Sequence, residues 1–222
     1  MKIPELFTGA WLIAFALIML TGFPAYSGQT TIEDYVQARP IFWRGLYPNG
    51  GFSLYCNRPF RPYDRGVNIE HVFPMSWAKN AFDCRTRKQC RQDLPAFNYL
   101  EADLHNLYPA LVPVNDARGS QGFADLPEKL SHFHQCEFKI DTKRRRVEPR
   151  DEIKGRIARA MFYMADAYNL PIFRSQGQLL TRWHFRFPPD TEENRRNNVI
   201  FRIQGTRNPF IDNPDAVSKF GW

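Results

Sequence analysis

The chain of 222 residues contains no internal repeat and no low-complexity linker. That leaves out solenoids, propellers and strings of modules, so one compact domain is expected. A phosphate-binding P-loop is also missing. The turn Gly119-Ser120-Gln121-Gly122 lacks the spacing of a nucleophile elbow, because its serine does not sit between correctly placed glycines. No apolar run reaches the roughly 20 residues needed to span a bilayer. The longest, Ala10 to Phe23, follows Lys2 and Glu5 and precedes the small residues Ala25-Tyr26-Ser27. This is the pattern of a secretory signal peptide. Residues 1–27 are therefore read as a leader and residues 28–222 as the folded domain. The expected location is the periplasm or the external medium, with no stable membrane association after cleavage and a monomeric state.

Cysteine is scarce but even in number. Cys56, Cys84, Cys90 and Cys136 all lie in the mature part. In an exported chain four cysteines point to two disulfides, with three possible pairings. Cys84–Cys90, closing a short basic loop, with Cys56–Cys136 tying distant segments, is the favoured arrangement. A zinc site of His132, His134 and Cys136 is the competing reading, but its spacing matches no familiar finger or ribbon. Cytoplasmic reduction of these cysteines would leave folding to be completed after export.

Charge is not scarce. The formal net charge is +7, and removing Lys2 and Glu5 with the leader leaves it unchanged. Arg85, Arg87, Lys88 and Arg91 crowd one segment, and Lys143-Arg144-Arg145-Arg146 form a second cluster. Cations near a candidate site suit a polyphosphate backbone. For the second cluster a solvated charged face is the plainer reading.

The periodicities indicate an α+β domain, mainly helical. A helix is expected over 32–40, with Thr31 as its cap, and strands over 52–55 and 67–73, the latter ended by Pro74. Residues 75–98 read as a loop-rich excursion with one short helix. Leu104 to Arg118 holds a helix containing Asn115, whose start Pro109 and Pro113 leave open. Segments 136–140 and 144–147 flank Asp141-Thr142-Lys143 as a hairpin. Ile153, Ile157, Met161, Met164 and Tyr168 recur at helical spacing from Asp151 onward, and Asn169-Leu170-Pro171 stops that helix. Further helices are expected over 176–187 and 191–199, and an extended tail from Arg207.

The chemistry concentrates at Glu70-His71. A carboxylate is a hard-metal oxygen ligand, and a neutral imidazole takes a proton near neutral pH. Asn115 adds an amide oxygen. Magnesium often needs only one or two protein oxygens and keeps several waters, which leaves His71 free as general base. Neighbouring strand residues point to opposite faces, so one site can use both only at a strand end or bulge. A site at the edge of a small hairpin, facing the helix of Asn115, is expected. His105 and Asn106 are read as braces between hairpin and helix, and Asp103 as a supporting residue. Arg118 divides between a phosphate contact and a structural ion pair. His184 is read as ordinary.

The motifs Asn68-Ile69-Glu70-His71-Val72-Phe73-Pro74, Glu101 to Ala110 and Val114-Asn115-Asp116-Ala117-Arg118 resemble the bacterial endonuclease I family. The likeness continues through Glu148-Pro149-Arg150-Asp151, residues 154–159 and residues 204–210, covering nearly all of 50–212. It implies a small β-hairpin and helix core (ββα-metal, or His-Me finger) and non-specific cutting of DNA, and also RNA, to 5′-phosphate products. It further implies Mg²⁺ on Glu70 and Asn115, with Mn²⁺ or Ca²⁺ as candidate substitutes, and His71 as the base. An arginine between Cys84 and Arg91 would steady the phosphate, with Arg85, Arg87 and Arg91 as candidates; Arg87 and Arg91 are placed with the catalytic set, and Arg85 and Arg118 with substrate binding. Many relatives carry a further cysteine just after the position of Cys56, where this chain has Asn57-Arg58. The alternative function is an exported nucleic-acid-binding protein without catalysis, for example in DNA uptake.

Overall fold

The computed structural model describes residues 27–222. Apart from Ser27, the expected leader lies outside the described residues. The chain enters through α1 (Tyr35–Ile41), whose cap is Asp34 rather than Thr31, because the Asp34 carboxylate accepts from the Gln37 amide at 2.8 Å. A π-helical turn (Phe42–Leu46) continues it past Pro40. The short strands β1 (Gly51–Phe52) and β2 (Pro59–Phe60) pair antiparallel. The strand expected over 52–55 is thus a stub: Ser53 to Cys56 turns back, with Asn57 N–H bonding Ser53 C=O.

Next comes the element that positions the site. Strand β3 (Val67–His71) is followed by α2 (Met75–Ala81), α3 (Arg87–Asp93) and α4 (Pro95–Glu101). Three short helices therefore stand where a looser excursion was expected. Thr86, whose hydroxyl accepts from the Gln89 amide, caps α3, and the Cys84–Cys90 disulfide staples its start. The chain then returns as β4 (Leu107–Leu111), antiparallel to β3 with Glu70 opposite Tyr108 and His71 opposite Leu107. Helix α5 (Val112–Arg118) follows at once, with Pro113 in its first turn, where a missing N–H is tolerated.

The helix expected within 104–118 begins only at Val112, and residues 107–111 before it are a strand. Leu107 packs into the cluster of Phe42, Trp43 and Ile200, while Tyr108 and Ala110 pack into the larger core. A strand buried on both faces loses its alternation and cannot be told from a buried helix by period alone. Pro109 fits because its carbonyl faces outward, accepting from the Leu54 amide at 2.7 Å. Its absent N–H lies on that same outer edge, so no ladder bond is lost.

Strand β5 (Gly122–Phe123) pairs parallel with β7 (Arg146–Glu148), and β6 (Lys139–Asp141) pairs antiparallel with it as the expected hairpin. Beyond a 3₁₀ turn at Asp151–Ile153, α6 (Lys154–Ala167) runs through the main core. Ile157, Met161 and Met164 on it are fully buried. Asn169, in the left-handed region at φ 52°, ends it. Helices α7 (Arg174–Arg186) and α8 (Thr191–Gln204) pack around this axis. The tail is not extended: α9 (Pro209–Asp212) and a 3₁₀ turn (Pro214–Phe220) bring Phe210, Phe220 and Trp222 onto Phe162. No described helix is long and apolar enough to cross a membrane.

Candidate active site

Glu70 and His71 occupy the last two positions of β3 and do point to different neighbours. Glu70 Oε1 accepts from the Tyr55 hydroxyl at 2.6 Å and pairs with Arg118 Nη1 at 3.1 Å. The His71 ring lies against Tyr35, with centroids 5.1 Å apart, and donates from Nε2 to the Glu101 carbonyl at 2.9 Å. Both nonetheless line one cleft of about 420 Å³, together with Asn115, Arg87, Lys79 and Ser120. The strand makes this possible by ending. After His71 one more cross-strand bond, Val72 N–H to Asn106 C=O at 3.1 Å, closes the ladder, and the Asn106 side-chain amide then holds both the N–H and the C=O of Phe73, at 2.6 and 3.1 Å. The cleft wraps around that end.

Asn115 reaches the same cleft from α5. Its amide nitrogen donates to Asn68 Oδ1 at 2.7 Å, which leaves its oxygen as the free end. Tyr55 and Arg118 both engage Glu70 Oε1, and the His71 backbone N–H also bonds this carboxylate. Two hard oxygens with room for waters fit a magnesium ion. Among the described residues no group of three or more His, Cys, Asp or Glu side chains could hold a metal, so a zinc-type cage has no ligands here. The trio of His132, His134 and Cys136 is removed as a zinc site by the Cys56–Cys136 disulfide, which takes up the thiolate.

The arginines separate clearly. Arg87, at the start of α3, lines the cleft and donates to the Glu101 carboxylate. Arg91, one turn on, chelates Glu101 at 2.6 and 2.9 Å but does not line the cleft. The exposed Arg85 lies outside it as well. Arg118 is fully buried beneath Glu70 and donates from Nη1 and Nη2 to the carbonyls of His71 and Val72 at 3.1 and 2.6 Å, while its Nε has no partner among the described residues. Of its two expected roles the structure places it in the ion pair, with no face toward a phosphate.

Asp103 supports at one remove. It accepts from Tyr163, Tyr168 and Gln204, tying β4 to α6 and α8. His105 bonds the Thr206 carbonyl at 3.1 Å, and His184 the Pro214 carbonyl at 2.9 Å. Two residues carry roles that no side-chain pattern announced. Tyr55 orients Glu70, and Glu101 fixes His71 through its backbone and Arg87 through its carboxylate. Glu101 heads a motif that was legible, but a backbone carbonyl leaves no signal in side-chain identity.

Electrostatics complete the arrangement. Burial pushes the Glu70 carboxyl above its ordinary range, against the opposing pull of Arg118 and Tyr55. Burial, with the Arg87 charge as the next cause, lowers His71 to about 4. At neutral pH the imidazole is therefore uncharged. Because the Glu101 carbonyl can only accept, Nε2 carries the proton and Nδ1 keeps its lone pair.

His105 is also lowered to about 4, chiefly by burial. An unfolded chain protonates both histidines near 6.5, so between pH 6.5 and 4 it binds more protons than the native state. Stability should therefore be fully present above 6.5 and fall as pH drops toward 4. The contribution of this pair approaches about 3 kcal/mol per pH unit at its steepest. Urea unfolding in EDTA at pH 7 and pH 5 measures it; a flat profile would contradict the burial of two neutral histidines.

A β-ribbon and helix carrying an acid, a histidine and an asparagine around one cleft define a class, and the comparisons agree. The family model described as Endonuclease I matches residues 53–215, and the chain belongs to that family. It is 31% identical to Endonuclease-1 of Buchnera aphidicola subsp. Acyrthosiphon pisum (strain APS), over 84% of this chain and 84% of that protein. It is 35% identical to the Periplasmic deoxyribonuclease of Aeromonas hydrophila, over 69% and 67%. With the Extracellular ribonuclease of Bacillus subtilis (strain 168) it shares 32% identity, over 78% and 62%.

Proposed function

We propose that this protein is an exported, sequence-non-specific endonuclease that hydrolyses phosphodiester bonds in DNA and RNA with the help of a divalent cation, Mg²⁺ by preference. The observation that carries the reading is the neutral His71, anchored through Nε2 to Glu101 and free at Nδ1, in one cleft with the Glu70 and Asn115 oxygens. Relatives named as periplasmic or extracellular deoxyribonucleases and as an extracellular ribonuclease support substrate and location.

His71 Nδ1 accepts a proton from water as its oxygen attacks phosphorus, and the P–O3′ bond breaks. The 3′-oxygen takes a proton from solvent water and His71 returns its proton to solvent, leaving a 3′-hydroxyl and a 5′-phosphate. Glu70 and Asn115 would hold the cation, which supplies charge neutralisation at the phosphate and the leaving oxygen. The fixed Glu101 contact keeps the imidazole in the tautomer that can accept. Arg87, steadied by Glu101, sets a guanidinium at the cleft for a phosphate oxygen. Tyr55 and Arg118 hold Glu70 in place, and Asn68 turns the Asn115 oxygen outward. Contacts of this kind address phosphate and not base edges, so cutting is expected without sequence preference.

A panel of single- and double-stranded DNA and RNA tests the reading. All four should be cut to 5′-phosphate ends in Mg²⁺, with rates that fall steeply with added salt, as backbone binding requires. Cutting confined to one sequence, or 3′-phosphate ends, would overturn it.

A further inference from the structure

A second cleft of about 670 Å³ lies beside the catalytic one. Trp77 lines it, and its indole N–H donates at 3.2 Å to the carbonyl of Ser120, which lines the catalytic cleft. Phe173 stands opposite, 75% exposed, its ring 6.3 Å from Trp77 and nearly perpendicular to it. An aromatic ring left this far in water beside a second ring is an open stacking surface.

The floor of the second cleft is polar and unsatisfied. Gln176 is 7% exposed; its oxygen accepts from the Phe123 amide at 2.9 Å, while its amide nitrogen is buried without a partner. A buried donor left unpaired is expensive and usually awaits a ligand or water. Gly122 makes the floor possible, since a Cβ there would lie 2.9 Å from Gln176 Oε1 and 3.2 Å from Arg146 Nη1. Arg146 borders the cleft and makes no ion pair among the described residues. Its neighbour Arg145 reaches Ser120 Oγ at 3.5 Å. Arg182 also borders it, 3.9 Å from Asp125, the carboxylate present. Part of the basic cluster read from the sequence as a plain solvated face thus edges a built cavity.

We propose that this second cleft is a nucleotide subsite. It takes an unstacked base of a nucleic-acid strand that runs from the catalytic cleft past Ser120. Phe173 stacks the base and Trp77 meets it edge-on, the Gln176 amide donates to a base carbonyl, and Arg145 and Arg146 meet the flanking phosphates. Adjacency to the catalytic cleft through Trp77 and Ser120, and two guanidinium groups without an ion pair among the described residues, select a polyanion over a protein partner. Because a paired base cannot enter, the subsite favours single strands and frayed ends. This rests on the nuclease reading above.

The test uses the full mature chain carrying His71→Ala, in EDTA so that nothing is cut, with a labelled single-stranded oligothymidylate and a hairpin duplex. Phe173→Ala should lower the ratio of single-strand to duplex affinity by about 5-fold to about 100-fold, the range for one stacked base. Phe173→Trp should keep the ratio. Gln176→Glu, which keeps the acceptor for Phe123 but replaces the donor with a carboxylate, should lower it too. An unchanged ratio in Phe173→Ala, or equal losses on both substrates, would overturn the subsite while leaving the nuclease reading intact. If the protein binds neither nucleic acid and the unsubstituted chain cuts neither, both fall together.

Discussion

Replacing His71 with alanine is expected to slow phosphodiester cleavage by about 10²-fold to 10⁴-fold, the usual worth of a positioned general base. Substrate binding should be nearly unchanged. The expectation follows from position as much as from residue type. The imidazole is held at one nitrogen by a carbonyl that can only accept, and burial keeps it uncharged, lowered to about 4. An alanine removes the acceptor without disturbing Glu70, whose contacts are to Tyr55 and Arg118 on the other side of the strand. The loss should therefore appear in kcat with little change in KM. Cutting by the variant at the unsubstituted rate would remove His71 from the mechanism.

Loss of the Cys56–Cys136 disulfide, by Cys56→Ser with Cys136→Ser, is expected to destabilise the fold by about 4–5 kcal/mol, from the loop-closure entropy of a long bridge. This bridge spans 80 positions, against 6 for Cys84–Cys90. The same relation gives only about 2 kcal/mol for the shorter one. A domain of this kind has a total stability of about 5–15 kcal/mol, so the long bridge is a large share of it. It also bears on the site, because Cys56 follows Tyr55, the residue that hydrogen-bonds Glu70. Urea denaturation of the two double variants, read at the midpoint with the slope checked, decides the order. Equal losses would show that loop length does not govern these bridges.

Much of the site was legible because its chemistry lies in side-chain identity. Glu70, His71 and Asn115 were singled out by the ligand and base roles their types allow, the structure brings all three to one cleft, and the adjacency of the first two already required a strand end. The strand does end at His71. The helix from Asp151 was legible for a similar reason, since its apolar residues recur at helical spacing and are buried. The strand Leu107–Leu111 was not, because burial on both faces erased its alternation. Tyr55 and Glu101 were hidden for a third reason. One acts across a turn of irregular backbone, and the other through a carbonyl that every residue possesses. Among the arginines, the sequence offered four candidates of equal chemistry. Only the packing of α3, with the depth of Arg118, separates Arg87 at the cleft from Arg85, Arg91 and Arg118.

The central claim is that Glu70 and Asn115 hold a divalent cation on which His71-assisted cleavage depends. Nicking of supercoiled plasmid by the purified mature chain tests it most directly, in Mg²⁺, in excess EDTA, and in EDTA followed by restored Mg²⁺. The account predicts nicked and linear products in Mg²⁺, none in EDTA, and full recovery on restoration. Undiminished nicking in EDTA would contradict it.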